Sequence, residues 1–273
     1  MHPKYMIARF VRHAMPDAMA RFLLRRGWII RTGMETRLPE QALQRYLEKL
    51  AEHQVSLVGQ RVLVFGYGGN FSLGCGLLRG GASHVVLSDR FAPPDVDNNR
   101  QLLPGYADYL VSTPAGIAPR PEFMTVSSAD IVEVADQGSL SPVDLVLSNS
   151  VFEHLADVDR ITQAMARLTK PGGAQLHFVD LRDHYFKYPF EMLTFSEKAW
   201  RNWLNPTSNL NRYRLPDYRR VFEHYFRKVE ITVLERDPDN FHKAENRIRP
   251  EFLSGDPDID SVTLIQVFVA QPI

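Results

Sequence analysis

A mostly parallel α/β sheet with helices on both faces is the fold this sequence predicts, and three observations predict it. From residue 61 onward, short apolar runs alternate with turns and helical stretches, the pattern left by strands joined through crossover helices. The first run opens directly into the turn Gly66-Tyr67-Gly68-Gly69-Asn70. The second ends on an acid, Asp89, 21 residues beyond Gly68.

Seven strands are expected, over 61–65, 84–88, 123–126, 143–148, 176–181, 229–235 and 262–270. The clearest helices lie over 72–78 and 159–168, the latter with Ile161, Met165 and Leu168 on one face. Leu43, Tyr46, Leu47 and Leu50 recur at helical spacing, so residues 1–57 read as a helical extension ahead of an α/β domain over 58–273. Two segments exceed the minimal pattern. Residues 91–122 hold several prolines and form an irregular connection, with room for a helix in 97–110. Residues 182–216 form an insertion after the fifth strand, carrying Tyr185, Phe186, Tyr188, Phe190, Phe195, Trp200 and Trp203. Long connections of this kind are often functional, and the aromatic stretch suits either a lid over a ligand or a small satellite core.

Composition narrows the function classes. The 273 residues are 44% apolar and 23% charged, values ordinary for a globular protein. Lys plus Arg equals Asp plus Glu, at 32 each, so no overall field draws the chain to nucleic acid. No basic groove with interleaved stacking residues is legible either. The single cysteine, Cys75, excludes an internal disulfide framework and a multi-thiolate zinc site and fits a reducing, cytoplasmic compartment. In the first 31 residues Lys4, Arg9, Arg12, Arg21, Arg25, Arg26 and Arg31 face only Asp17, with Ile7, Phe10, Val11, Met15, Met19, Phe22 and Leu23 between them. Such an element either packs on its own domain or contacts an anionic membrane or acidic partner.

A glycine turn between strand and helix lets a ligand approach the backbone and offers it the free N–H groups of the helix end. An acid at the end of the next strand accepts hydrogen bonds from ribose hydroxyls. This pair suits a nicotinamide dinucleotide as well as other nucleosides. Later landmarks decide: residues 143–154 read Val-Asp-Leu-Val-Leu-Ser-Asn-Ser-Val-Phe-Glu-His, and residues 168–181 carry the turn Lys170-Pro171-Gly172-Gly173 into the fifth strand. In this order the chain resembles the class I S-adenosylmethionine-dependent methyltransferases, with their Rossmann-like sheet and antiparallel last strand, best over residues 55–182.

The resemblance implies S-adenosylmethionine as cofactor, with Gly66, Gly68 and the backbone near Tyr67 around its methionine portion. It places Asp89 on the ribose, Asp130 beside the adenine amino group, and Asn149 on the methionine side of the pocket. Two positions depart from the pattern. Val64 stands where an acid usually anchors the cofactor's ammonium group, and Asn70 stands in place of a third glycine, as a residue that tolerates left-handed backbone.

Methyl transfer from a sulfonium is an in-line displacement that needs alignment more than a nucleophile, although a hydroxyl or ammonium acceptor gains from a base. His184, just past the fifth strand, is the first candidate base, with Asp183 or Asp180 to orient it; His154 is the second. His177, inside a strand, reads as a core residue. Tyr185, Trp200 and Trp203 are candidate acceptor contacts. No metal is expected, although Asp180, Asp183 and His184 cluster in sequence. The expected acceptor is a small molecule, carbohydrate or lipid precursor, methylated at oxygen or nitrogen in preference to carbon. An NAD-linked oxidoreductase and an inactive cofactor-binding scaffold are the alternatives.

Overall fold

The computed structural model of the protein describes residues 3–16, 18–19, 22–23, 38–185 and 187–273. The strands are β1 (Arg61–Phe65), β2 (His84–Ser88), β3 (Leu110–Thr113), β4 (Gly116–Pro119), β5 (Met124–Ser127), β6 (Val143–Asn149), β7 (Thr169–Asp180), β8 (Phe226–Arg236) and β9 (Val262–Pro272). Seven of them form one sheet in the order β5-β2-β1-β6-β7-β9-β8, and β3 and β4 make a separate hairpin. Neighbours pair in parallel except β9, which runs antiparallel to both β7 and β8. The sequence expectation of a seven-stranded, mostly parallel sheet holds, with the first two strands at their expected bounds.

Alternation along the strands builds a core on each face. Val62 and Val64 of β1, with Val85 and Leu87 of β2, join Tyr46 and Leu50 of the helix α2 (Pro39–Glu52) on one side. Leu63 and Val86 turn the other way and meet Met165 and Leu168. Val64 is central to the first core, in register with Leu87 and Leu147. An acid at that position would be buried in apolar surroundings.

The helix expected in 97–110 is short, Val96–Leu102, and the rest of the connection forms the unexpected β3–β4 hairpin. The Lys170–Gly173 turn is a bulge at the start of β7: pairing with β6 passes from Val143↔Thr169 directly to Leu145↔Ala174. Lys170 Nζ holds both oxygens of Asp144 there, at 2.8 and 2.9 Å.

The helix α1 (Pro3–Ala14) packs on the insertion after β7. Its Tyr5 joins Phe190, Met192, Leu193, Phe195 and Trp200 of the insertion, and Phe241, Ala244 and Ile248 of the β8–β9 connection, in one satellite core. Arg9 is buried as well. The basic N-terminal element is therefore partly an internal dock, and Ile7, Phe10 and Val11 remain exposed on its outer side. Asp17, Arg21, Arg25, Arg26, Arg31 and Phe186 lie outside the described residues. Among the described residues no helix is long and apolar enough to cross a membrane.

Arg214 joins the end of β7 to the start of β9. Its buried guanidinium donates to the carbonyls of Leu181 at 2.8 Å, Asp260 at 3.0 Å and Val262 at 2.6 Å. Burial pulls its pKa down to about 10. Replacing Arg214 with Met removes these donors at ~1 kcal/mol or more each, offset by the relief of burying a charge. A loss of about 2–3 kcal/mol is expected, read as a lower urea midpoint with an unchanged slope; a midpoint equal to wild type would show that the clamp is dispensable.

Candidate active site

The turn after β1 is shaped by close approaches. Gly66 has φ +82°, and a Cβ there would lie 2.2 Å from Val151 Cγ2, in the turn after β6. Only a residue without a side chain lets these two strand ends meet. Gly69 has φ +85°, and its carbonyl accepts from Asp95 N and Asn99 Nδ2, both at 2.9 Å. Left-handed backbone thus falls on Gly66, Gly68 and Gly69, whereas Asn70 stays outside that region. Asn70 thus does not use the left-handed backbone its residue type tolerates; its Oδ1 accepts from Ser72 N at 2.9 Å and steadies the start of the helix over Ser72–Arg79.

Asp89 reaches the same turn. Its Oδ2 accepts from Gly68 N at 3.1 Å, and its Oδ1 accepts from Phe91 N and Ala92 N, each at 2.8 Å. A carboxylate offers about four lone-pair directions, so these three donors fix its position and leave acceptor capacity toward the loop. Tyr67 is buried between them, stacked on Phe71, and its hydroxyl has no hydrogen-bond partner among the described residues. Burial, reinforced by Asp89, pushes that phenol up to about 12. Asp130 caps the helix over Ile131–Gln137 through Val132 N at 2.9 Å and pairs with Arg90 through its other oxygen.

The other half of the site gathers at the carboxyl ends of β6 and β7, where open α/β sheets receive ligands. Asn149 ends β6 and is buried, and Ser150 follows in left-handed backbone at φ +54°. The chain then makes a single 3₁₀ turn over Phe152–His154. The His154 ring meets that of His184 edge to face, centroids 4.8 Å apart. His184 Nε2 lies 4.0 Å from Glu153 Oε1. Since Asn209 O can only accept, His154 Nδ1 carries a proton and donates it there at 2.8 Å. Burial lowers the pKa of both imidazoles; for His184 the His154 ring, Arg9, Arg182 and Arg12 push the same way.

Residues 117–176 match the family model described as a methyltransferase domain. The seven-stranded, mostly parallel sheet with its antiparallel last strand is a fold shared with solved methyltransferases, one of them in complex with S-adenosyl-L-methionine. Similar solved structures include a 1,6-didemethyltoxoflavin-N1-methyltransferase of Burkholderia thailandensis, 12% identical over 99% of this chain and 91% of that one, TM-score 0.52. A phosphoethanolamine N-methyltransferase 2 of Haemonchus contortus is 15% identical over 84% of this chain and 53% of that one, TM-score 0.51. A candidate sarcosine dimethylglycine methyltransferase of Galdieria sulphuraria is 14% identical over 93% and 97%, TM-score 0.52. These likenesses concern the fold. Curated protein sequences give no significant match.

The glycine turn and Asp89 lie together as the sequence places them, and His154 and His184 meet. The expected orienting partners of His184 do not. Asp180 is held by Arg182, from Nε at 2.9 Å and Nη2 at 2.7 Å. Asp183 has no solvent exposure and accepts from Tyr5 Oη at 2.5 Å, Tyr185 N at 2.8 Å and the Arg9 guanidinium. The sequence cluster Asp180, Asp183 and His184 is thereby dispersed, and Glu153 is the carboxylate beside His184. Among the aromatic candidates, Trp200 is buried with its Nε1 on Leu210 O at 3.1 Å, so it supports the insertion from beneath and does not present a face to an acceptor. Trp203 and Tyr185 are exposed. Asn209 and Arg9, essential to this arrangement, gave no sequence signal beyond a loop and a basic run.

His177 is the core residue expected: Nδ1 meets Ser148 Oγ at 2.7 Å and Nε2 meets Gln175 Oε1 at 2.8 Å. Gln175 Nε2 donates to Met165 O and Thr169 Oγ1, so its oxygen faces His177, whose Nε2 is therefore the protonated nitrogen. Burial drives this pKa down to about 3. An unfolded histidine titrates near ~6.5, so below that pH the unfolded chain takes up protons that the folded imidazoles of His154, His177 and His184 refuse. Stability is whole above that range and falls on acidification, by up to about 1.4 kcal/mol per pH unit for each such histidine. Denaturant midpoints should drop between pH 7 and pH 5, less steeply in His177→Gln; a flat profile there would contradict neutral burial.

Proposed function

We propose that this chain methylates a small-molecule, carbohydrate or lipid-precursor acceptor at oxygen or nitrogen. Residues 58–273 act as the catalytic domain, 1–57 as an extension, and 182–216 as a lid. One juxtaposition carries the reading: the turn from Ser150 to His154 touches the glycine loop through Val151 and at its far end brings His154 against His184. Cofactor loop and histidine pair are thus two ends of one short segment.

Bound S-adenosylmethionine supplies a methyl group on a sulfonium. The residues fit it: a turn with left-handed glycines at Gly66, Gly68 and Gly69, the fixed carboxylate of Asp89, and the buried Tyr67 hydroxyl. In this reading Gly66, Tyr67 and Gly68 enclose the methionine portion with Asn149, Asp89 receives the ribose hydroxyls, and Asp130 shapes the adenine edge. Val64 lies in the core, so the ammonium group depends on backbone carbonyls or another carboxylate. The acceptor enters beside His184 under Tyr185 and Trp203, and His184, neutral at pH 7, accepts its proton. His154 positions that ring by packing and is the second candidate base.

Peripheral contact with an anionic membrane belongs to the same proposal, supported by the exposed row Ile7, Phe10 and Val11 on α1. Salt-sensitive pelleting with phosphatidylserine vesicles is expected, and its absence would confine α1 to the internal dock.

The chemistry is tested by two variants with separate readouts. Asp89→Ala should weaken S-adenosylhomocysteine binding by about 1.5–3 kcal/mol in calorimetry, the value of hydrogen bonds to a charged group. His184→Gln should keep that affinity and slow transfer of a labelled methyl group by about 10²–10⁴-fold. Unchanged affinity in folded Asp89→Ala would unseat the cofactor assignment, and a wild-type rate in His184→Gln would leave alignment as the sole source of catalysis.

A further inference from the structure

We propose that Glu153, His154 and His184 form a site for a first-row divalent cation on the acceptor side of the methyltransferase. The proposal rests on the acceptor being received at this edge, and it makes His184 Nε2 a ligand in place of the base read above. One ligand atom from each of the three residues lies within 4.8 Å of the other two. Glu153 and His154 come from the 3₁₀ turn after β6 and His184 from the loop after β7, so two adjacent crossovers deliver the set to one point.

Two features favour a cation over a chance cluster. The donor arrangement at His154 is the one metal-bound histidines use, with the far nitrogen tied to a carbonyl so that the other lone pair is aimed. That tie is itself built: Asn209 accepts from His154 Nδ1 through its carbonyl and donates from Nδ2 to the His154 carbonyl at 3.0 Å. Asn209 sits in left-handed backbone at φ +50°, with its Oδ1 accepting from Asn205 Nδ2 at 2.7 Å. Strained backbone of this kind persists where the surroundings over-determine it. The second feature is the buried side chain of Glu153, whose Oε1 lies 4.0 Å from His184 Nε2.

Metal–ligand bonds of about 2.0–2.2 Å put ligand atoms roughly 3–3.6 Å apart. His184 Nε2 must therefore close on Glu153 Oε1 from 4.0 Å by less than about an ångström, and the ring, 26% exposed, has room to do so. Two imidazoles and one carboxylate favour zinc, cobalt, manganese or iron over magnesium or calcium, and leave positions open for an acceptor oxygen. A cation held by Glu153, His154 and His184 would polarise such an oxygen and ease loss of its proton. Of the nearby cations, Arg9 is neutralised by Asp183 and Arg182 by Asp180. Arg12, on Ser208 Oγ at 3.4 Å, opposes a metal.

The test uses the full chain freed of metal with a chelator and titrated with Co²⁺, read by visible absorption, and with Zn²⁺, read by calorimetry. One equivalent should bind. Affinity should fall about tenfold or more in Glu153→Gln, His154→Gln and His184→Gln, each checked for wild-type melting, and rise in Arg12→Gln. No saturable binding, or wild-type affinity in both histidine variants, overturns the site. Methyl transfer that persists in chelated wild type but fails in His184→Gln would also overturn it, keeping His184 as a base, since one nitrogen cannot serve both roles. Residue-dependent Co²⁺ binding without transfer to any acceptor would keep the site and sink the functional reading.

Discussion

Asp183 has no solvent exposure, and a carboxylate so placed persists only when its charge is met and its lone pairs are filled. Arg9 and Tyr5 of the first helix meet it from outside the sheet, and Tyr185 N meets it from within the insertion. This node commits the N-terminal helix to the segment that follows β7. It also fixes the residue next to His184. Burial has raised the Tyr5 phenol to about 12 and lowered the Arg9 guanidinium from its usual value, so Tyr5 stays a donor while Arg9 remains cationic at neutral pH. The position of His184 thus depends on a contact between residues 174 apart in sequence.

The two halves of the site differ in how they are held. Around the glycine turn, backbone donors and short side chains satisfy one another: Asp89 is fixed by three N–H groups, and Asn99 closes the loop from Gly69 to Phe71. Such a half has one arrangement. At the histidine pair the rings touch, but His184 keeps part of its surface open, and the insertion above it is built of single turns and a π-helical stretch over Trp200–Leu204. The chain therefore joins a preset glycine loop to a histidine pair that has room to adjust.

Much of this was legible in the sequence because it is local. Strand alternation marked β1 and β2 at their bounds, the glycine turn announced the strand–helix junction, and the spacing to Asp89 survived folding as a direct hydrogen bond. What was missed depends on distant contacts or on short elements. The strands β3 and β4 are four residues each and end among prolines, too short to show a period. Trp200 and Tyr185 look alike in sequence, yet one is buried in the satellite core that Tyr5 completes and the other is exposed. His184 was found by its place after a strand. Its carboxylate neighbour was misassigned because Asp183, adjacent in the chain, turns toward Arg9, whereas Glu153 arrives from another crossover.

The charge state of the site follows from the same packing. A sulfonium donor is cationic, and a protonated imidazole beside the acceptor would raise the energy of bringing the two together in a low-dielectric site. Burial keeps His154 and His184 neutral, and the arginines nearest the rings are largely spent on Asp183 and Asp180. Arg9 and Arg182 serve this end by occupying the two aspartates that the sequence offered to His184, since an aspartate bonded to that ring would favour the protonated form. The misassigned partner and the neutral histidine are in that sense one fact: the charges were paired elsewhere so that the rings are left uncharged.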